Sequence, residues 1–269
     1  MSVLSKEPEM PHGLERMAAH GAASFSLKGK TVLVTGASGD IGAYVSQTAA
    51  AAGARVVLAA RREERLSQVA DTIAARGGSV TWVPVDLTDR ESIDSCVAAA
   101  GEIDVLVNNA GVARPAPALI GGGVGEEELW RVNLFGAIEM SRQAAHRWIE
   151  TKRPGNVVNV ASILGVIGAP GVSGYSATKA ALISFTRTLA CEWARHDIRV
   201  NALAPGYLRT ELNKEELDGD FGAKLIKRIP MRRFATLPDL NGPFLLLASD
   251  ASRYMTGSVL VVDGGQTAC

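Results

Sequence analysis

Short β-branched segments alternate with alanine-rich amphipathic stretches along most of this chain. Apolar strands separated by helical segments are typical of βαβ units, whose parallel sheets are covered by helices on both faces. The pattern therefore predicts an α/β fold with about seven parallel strands. The segments expected to form strands are residues 31–35, 55–59, 79–85, 103–107, 156–160, 199–202 and 259–262.

The same pattern continues without a composition break, a Pro-rich linker or a repeat over residues 30–265. A chain of 269 residues can bury the core of one large α/β domain. We therefore expect a single domain over residues 29–269, preceded by an N-terminal arm, residues 1–28, that has no clear strand or helix period. The charged segment 209–230 is a candidate lid over a binding site.

Composition narrows the classes of partner. Hydrophobic residues make up 47% and charged residues 21% of the chain, as in ordinary soluble globular proteins. Lys and Arg number 28, and so do Asp and Glu, so no bulk charge favours nucleic acid or an anionic membrane. Apolar runs are shorter than the roughly 20 residues of a membrane helix, and residues 1–23 lack the apolar core of a signal peptide. We expect a cytoplasmic protein whose partners are small molecules or other subunits.

The three cysteines give no sign of a metal site or a disulfide framework. Cys96, Cys191 and Cys269 are odd in number and show no CxxC or Cys/His ligand spacing. No metal is therefore expected.

Tyr175 and Lys179 lie four residues apart in a segment that is expected to be helical. Four residues make about one helical turn, so the two side chains share a face. A free tyrosine has a pKa of about 10, and a nearby cation favours the phenolate and lowers that pKa. Taken alone, the spacing also fits an ordinary exposed helix pair, so the surrounding residues must decide between the two interpretations.

A turn of small residues follows the first expected strand and leads into a helix that begins near Ile41. Small residues let the backbone approach a pyrophosphate, whose charge is favoured at a helix N-terminus. A second strand starts at Arg55, which completes the context that a dinucleotide-binding turn requires. The candidate cofactor-binding residues in the turn are Gly36, Ser38, Gly39, Asp40, Ile41 and Gly42.

The end of the second expected strand indicates which dinucleotide binds. A carboxylate there would bond the ribose of NAD(H), whereas arginine accepts the 2′-phosphate of NADP(H). The strand is followed by Arg61 and Arg62, with no acid before Glu63. We therefore predict NADP(H), with Arg61 as the first phosphate contact and Arg62 as the second. The alternatives are that both arginines are solvated residues of the next helix, and that NAD(H) is the cofactor.

Several motifs resemble those of the short-chain dehydrogenases/reductases in order and spacing, over residues 27–265. They are the glycine turn, Asn108-Asn109-Ala110-Gly111, Asn133, Ser162, Tyr175, Lys179, Pro205-Gly206 and the C-terminal stretches 254–257 and 262–265. The resemblance implies a Rossmann-type doubly wound parallel sheet with helices on both faces. It also implies an enzyme that interconverts a carbonyl and an alcohol by hydride transfer.

The resemblance assigns a catalytic role to four residues. Tyr175 would exchange a proton with the substrate oxygen, Lys179 would lower the pKa of the tyrosine and hold the nicotinamide ribose, and Ser162 would bond the same oxygen. Asn133 matches an asparagine that holds a water between the lysine and solvent. Each also has a structural interpretation: Ser162 as a helix cap, Asn133 as an interior side chain bonded to backbone, and Lys179 as a surface charge.

Further cofactor contacts follow from the same resemblance. Asp86 and Leu87 would contact adenine, and the segment after the fourth strand would border the adenosine ribose, while Asn108 is expected to tie strands together. The segment after the sixth strand would wrap the nicotinamide, with the Leu208 backbone and the Thr210 hydroxyl near the carboxamide. Besides Tyr175 and Lys179, the residues concerned are Asp86, Leu87, Asn109, Ala110, Gly111, Pro205, Gly206, Leu208 and Thr210.

One position departs from the family pattern. Asp40 stands where the family usually has the middle glycine of the turn. A carboxylate that faced a pyrophosphate would repel it, whereas an acid that turned away could cap the helix. We favour the cap.

Two classes of function remain possible at this point: an NADP(H)-dependent oxidoreductase, which the complete catalytic set favours, and a catalytically silent nucleotide-binding scaffold or sensor. The substrate is unassigned, because the chain resembles both 3-oxoacyl thioester reductases and gluconate or keto-sugar reductases. An apolar expected pocket (Ile163, Leu164, Ala169, Gly171, Tyr207) leans slightly toward a ketone with an apolar flank. The resemblance implies a homotetramer or homodimer, because members of the family commonly pair the two helices that carry surplus apolar residues here, namely Ala144, Ala145, Ala180, Ala181, Leu182 and Leu189.

Overall fold

The computed structural model describes residues 24–119, 124–210 and 213–269, and a seven-stranded sheet forms its centre. All six strand pairings are parallel. The order is β3-β2-β1-β4-β5-β6-β7, which confirms the predicted doubly wound fold. The strands are β1 (Thr31–Thr35), β2 (Arg55–Ala60), β3 (Ser79–Pro84), β4 (Val105–Asn108), β5 (Gly155–Val160), β6 (Ile198–Pro205) and β7 (Val259–Val262).

Helices connect these strands. A π-helical turn over Arg131–Gly136 continues α4 directly into α5. The helices are α1 (Asp40–Ala51), α2 (Glu63–Ala74), α3 (Arg90–Ala100), α4 (Val124–Trp130), α5 (Ala137–Glu150), α6 (Ser173–Trp193), α7 (Lys214–Asp218), α8 (Asp220–Ile226) and α9 (Asn241–Ala248). Short 3₁₀ turns cover Ile163–Gly165, Ala194–His196, Leu237–Leu240, Asp250–Ser252 and Gln266–Ala268.

Successive residues of the central strands point to opposite faces of the sheet, as the two-residue period of a strand requires. Val32 and Val34 pack with α1, α2 and α9 on one face. Leu33 packs with α3, α5 and α6 on the other. Because both faces are covered, these strands read as continuous apolar runs rather than as alternating ones.

The chain reverses its direction of travel across the sheet between β1 and β4. It moves outward from β1 to β3 and then returns to form β4 on the other side of β1. In open parallel sheets, ligands bind beyond the carboxyl ends of the strands at such a switch point. The glycine turn after β1 and Asn109 after β4 therefore lie where a ligand is expected.

Some sequence-based expectations differ from the structure. Strand β6 continues to Pro205, three residues beyond its expected end, because residues 202–205 pair with residues 259–262 of β7. Leu27, in the described end of the expected arm, is fully buried in the core. Residues 1–23 of that arm lie outside the described residues. No described helix is long and apolar enough to cross a membrane.

The residues offered as an oligomer interface are mostly used inside the subunit. Ala144, Ala145, Leu182 and Leu189 are buried in its core, so they do not support an interface. Oligomerisation stays a prediction.

Candidate active site

Two glycines let the turn after β1 fold closely on itself. Gly36 has a φ of +65°, and a Cβ at this residue would lie 2.6 Å from the Cα of Ala110. A Cβ at Gly42 would collide with the carbonyl oxygen of Gly36 and lie 2.5 Å from Nδ2 of Asn109. No side chain fits at either position, which leaves the backbone bare at the N-terminus of α1.

Asn109 holds this turn against the end of β4. Its Nδ2 donates to the carbonyl oxygens of Thr35 (3.0 Å) and Gly36 (3.3 Å). The backbone N–H groups of Asn109 and Ala110 both donate to the Thr35 hydroxyl, at 3.1 and 3.2 Å. Asn109 therefore shapes the cradle with its side chain, and Ala110 lines it.

Asn108 ties elements of the core together, as expected. Its Nδ2 donates to the carbonyl oxygen of Ala137 (3.2 Å), to the hydroxyl of Ser141 (2.9 Å) and to Oδ1 of Asn159 (2.9 Å). These bonds join β4 to α5 and β5.

Arg62 reaches back from the end of β2 to the glycine turn. Its guanidinium donates to the carbonyl oxygen of Ser38 at 2.9 Å and to the hydroxyl of Ser38 at 3.2 Å. Arg61 is exposed and lies near Asp86, whose pKa is held below its ordinary value first by the N–H of Thr88 and in smaller part by Arg61. Arg62 thus stands beside the turn, and Arg61 stands near Asp86, which follows β3.

The expectation that Asp40 caps α1 is wrong. The N-cap residue is Gly39, α1 begins with Asp40 itself, and no side-chain capping bond is formed. Oδ2 of Asp40 is buried and has no hydrogen-bond partner within the described parts of the chain. Asp40 still lies in the first turn, where the helix dipole favours an acid.

Ser162, Tyr175 and Lys179 come together at the end of β5. The Ser162 hydroxyl lies close enough to the Tyr175 hydroxyl to act to lower the pKa of the phenol. Nζ of Lys179 lies 5.7 Å from the centroid of the Tyr175 ring. Ser162 also accepts a hydrogen bond from the N–H of Leu164 (3.1 Å), so its capping role and its place beside the tyrosine coexist.

Lys179 is not a surface charge. It is 3% exposed, and its Nζ donates to the carbonyl oxygen of Val160 at 2.8 Å. Burial lowers the pKa of Lys179 to about 8, because a charged amine is costly away from water.

The pKa of Tyr175 differs from the expectation. Burial raises it above its ordinary value, and the Ser162 hydroxyl opposes that shift only in part. In the protein without a cofactor, Lys179 does not reverse the rise in the pKa of Tyr175 that burial causes. The phenol is therefore protonated at neutral pH.

Asn133 is an interior residue in the π-helical turn. It is 1% exposed; its Oδ1 accepts from the N–H of Val112 (2.8 Å), and its Nδ2 donates to the carbonyl oxygen of Val112 (2.9 Å). Nδ2 also reaches the Thr178 hydroxyl at 3.2 Å. A Cβ at Gly111 would lie 3.4 Å from Oδ1 of Asn133 and 3.5 Å from Nζ of Lys179, so Gly111 borders both side chains.

The segment after β6 runs past the same edge of the sheet. A Cβ at Gly206 would lie 2.8 Å from the Cα of Asp263, so this glycine permits a close crossing with the end of β7. Leu208 is buried and forms a bridge with Ala235. The N–H of Thr210 donates to Oδ1 of Asn213 at 2.7 Å, a contact that motif matching did not suggest.

The expected lid contains α7 and α8. Its apolar side chains form a separate cluster with Phe234, and Asp218 at the end of α7 accepts from Arg209 at 2.8 and 2.6 Å. Glu211 and Leu212 lie outside the described residues. Ile163, expected in the pocket, is 1% exposed and faces the interior instead. The lid cluster consists of Leu217, Leu225, Ile229 and Phe234, with Tyr207 and Ile226 packed against it.

Comparisons with known proteins agree with this geometry. A family model described as Enoyl-(Acyl carrier protein) reductase matches residues 36–267. Gluconate 5-dehydrogenase of Gluconobacter oxydans is 37% identical over 90% of this chain and 96% of its own. L-rhamnose 1-dehydrogenase (NAD(P)(+)) of Azotobacter vinelandii is 39% identical over 88% of this chain and 96% of its own.

A solved structure also matches. It is the gluconate 5-dehydrogenase from Burkholderia cenocepacia in complex with NADP and tartrate, with a TM-score of 0.88 and 34% identity over 93% of this chain and 100% of that one. The chain belongs to the short-chain dehydrogenase/reductase family. It is accordingly an oxidoreductase that acts on the CH–OH and carbonyl pair, as its named relatives are.

A dinucleotide fits the site of this short-chain dehydrogenase/reductase. Gly36 and Gly42 let the turn pack closely against Asn109 and Ala110 at the N-terminus of α1, where a pyrophosphate is favoured, and Arg62 stands beside the turn. The Ser162, Tyr175 and Lys179 cluster lies farther along the same sheet edge, after β5. Within the described ranges, no group of three His, Cys, Asp or Glu residues is placed to hold a metal ion.

Proposed function

We propose that this chain catalyses the reversible NADP(H)-dependent conversion of a carbonyl to an alcohol, with Tyr175 as the acid and base. The observation that carries the proposal is the meeting of Ser162, Tyr175 and Lys179 at the end of β5. A phenol placed beside a hydroxyl and a buried amine forms a proton-transfer site next to a dinucleotide cradle. The complete set argues against a catalytically silent scaffold or sensor.

The side chains divide the chemistry between them. In reduction, the protonated phenol of Tyr175 donates to the substrate oxygen, and in oxidation it takes the proton back. Ser162 bonds the same oxygen and fixes its place, while Lys179 holds a positive charge beside the phenol whenever it is protonated. NADP(H), when bound, supplies or accepts the hydride.

The preference for NADP(H) over NAD(H) rests on the end of β2. Arg62 stands at the glycine turn, and Arg61 stands near Asp86. Neither is preceded by an acid that would select a free ribose. The solved relative binds NADP, which supports the same choice. We also propose the other cofactor contacts that the resemblance implies. They are Asp86, Leu87, Asn109, Ala110, Gly111, Pro205, Gly206, Leu208 and Thr210.

We propose a hydroxylated small molecule, a sugar or a sugar acid, as the substrate. Two relatives are named for gluconate and rhamnose, and both compounds carry many hydroxyl groups. The alternative, a ketone with an apolar flank, loses one of its supports because Ile163 is buried. Residues 209–230 are proposed as the substrate lid, and a homodimer or homotetramer as the assembly.

The test is a substrate screen with the purified protein. Sugar acids, sugars and polyols are compared with secondary alcohols of apolar flank, each with NADP⁺ and with NAD⁺, by the absorbance of the reduced nicotinamide. We expect turnover with a polyhydroxylated compound and a higher kcat/KM with NADP⁺. Binding of NADP⁺ without turnover of any alcohol would support the scaffold alternative instead.

A further inference from the structure

The side chain of Asn213 closes on the segment that follows β6. Its Oδ1 accepts from the N–H of Thr210 at 2.7 Å and from the hydroxyl of Thr210 at 3.3 Å. Its Nδ2 donates to the carbonyl oxygen of Leu208 at 2.9 Å. One amide therefore fixes three polar groups across residues 208–210.

Asn213 also starts the first helix of the expected lid. Its carbonyl oxygen accepts from the N–H of Leu217 (3.0 Å), and its own N–H donates to the carbonyl oxygen of Thr210 (3.2 Å). At the other end of α7, Asp218 accepts two bonds from Arg209. Both ends of α7 are thus tied to residues 208–210, and Asn213 forms the tie that reaches the Thr210 hydroxyl.

These contacts determine where the Thr210 hydroxyl donates its proton. A hydroxyl has one proton and two acceptor lone pairs. Because that proton points at Oδ1 of Asn213, only acceptor capacity is left on Oγ1. A nicotinamide carboxamide offers an NH₂ donor and a carbonyl acceptor, and only the NH₂ can bond such an oxygen.

We propose that Asn213 is a positioning residue that fixes the Thr210 hydroxyl as an acceptor for the carboxamide NH₂ of the nicotinamide. This rests on the proposed function, in which a dinucleotide lies against residues 205–210. An acceptor in this place holds the carboxamide in one of its two orientations. The reacting ring is then held in a single pose against Tyr175.

The test compares binding of two dinucleotides. NADP⁺ carries the carboxamide, whereas its 3-acetylpyridine analogue has a methyl group in place of the NH₂ and cannot donate. One hydrogen bond predicts that the wild type binds NADP⁺ about fivefold more tightly than the analogue. Asn213→Ala should reduce this ratio of dissociation constants to within about twofold. Asn213→Asp keeps the acceptor and should keep the ratio. The control is Asp94→Asn, on the exposed side of α3 and outside the lid.

The ratio of the two dissociation constants distinguishes a positioning role of Asn213 from a purely structural one. If Asn213→Ala weakens both dinucleotides equally and the ratio is kept, the proposal is overturned. If Asn213→Ala fails to fold, Asn213→Leu decides, because it has a similar size and lacks the acceptor: a lost ratio supports the proposal, and an unchanged ratio overturns it. A wild-type protein that binds neither dinucleotide would overturn the proposed function as well, whereas a kept ratio overturns this proposal alone.

Discussion

Lys179 donates a hydrogen bond from Nζ to the carbonyl oxygen of Val160 at 2.8 Å. The bond joins α6, which carries Tyr175, to the end of β5, which leads directly to Ser162. It therefore holds the two halves of the proton-transfer site together. It also keeps an amine buried, and burial lowers the pKa of Lys179 from 10.5 to about 8.

The buried amine should give the protein a distinct dependence of stability on pH. Between pH 8 and 10.5, the unfolded chain keeps a proton on Lys179 that the folded chain has released, so this residue's contribution to stability rises with pH and is lost again as pH falls through 8. Lys179→Met has no such proton. The difference in free energy of unfolding, wild type minus variant, should increase by about 2 kcal/mol from pH 8 to pH 10.

Urea titrations at several pH values measure this difference. The control is Lys224→Met, at an exposed residue of α8, for which the difference should not change with pH. Parallel curves for wild type and Lys179→Met would show that the amine has an ordinary pKa in the folded protein. Lys179→Met should also lose activity, since the charge beside the phenol is gone.

Removal of the phenol should stop turnover without preventing nucleotide binding. Tyr175→Phe removes the oxygen that exchanges the proton, so kcat should fall on the order of 10²–10⁴-fold, while the dissociation constant for NADPH stays within a few fold. Steady-state kinetics and fluorescence titration measure the two quantities. Tyr254→Phe, at a fully exposed tyrosine, should leave both unchanged. Retained activity in Tyr175→Phe would reject the mechanism.

Much of this site could be predicted because its parts meet at one edge of a parallel sheet. A β-branched run bounded by turn residues gave the limits of β1 without error. The residues after β1, β4, β5 and β6 then had to converge, because the carboxyl ends of parallel strands share an edge. The position of Ser162 follows from that rule, whereas Tyr175 and Lys179 lie within α6 and were predicted from their motif.

Other features depend on packing that no local pattern records. Whether Asp40 is the N-cap of α1 or its first helical residue depends on the φ and ψ angles of Gly39. The pKa of Tyr175 depends on how much water the surrounding residues exclude, and its spacing to Lys179 could not reveal that burial raises this pKa. Asn213 had no motif, and its importance became visible only from its contacts with Thr210 and Leu208.

The two arginines after β2 should determine the choice of dinucleotide. Arg61→Ala and Arg62→Ala should each reduce kcat/KM for NADPH by about tenfold or more, because each removes a charged partner of the 2′-phosphate. Arg62→Ala should also weaken NADH slightly, since Arg62 supports the turn through Ser38. Arg65→Ala is the control, because this exposed arginine contacts Gln68 on its own helix. If the ratio of kcat/KM for NADPH to kcat/KM for NADH is unchanged in both variants, neither arginine binds the 2′-phosphate.

Asp40 should oppose binding of the dinucleotide. Its Oδ2 is buried without a partner among the residues described, and it lies in the first turn of α1, where the pyrophosphate is expected. Asp40→Asn removes the repulsion and should tighten NADPH about three- to tenfold at low salt. The gain should shrink at high salt because ions screen the two charges.

The same substitution should lower the melting temperature slightly, because an acid in the first turn is favoured by the helix dipole. Tighter binding together with lower stability would show that Asp40 favours the folded helix at the expense of the cofactor. Asp71→Asn, at an exposed residue of α2, controls for the change in net charge and should bind like wild type. If Asp40→Asn binds NADPH no more tightly than wild type at low salt, the carboxylate turns away from the pyrophosphate.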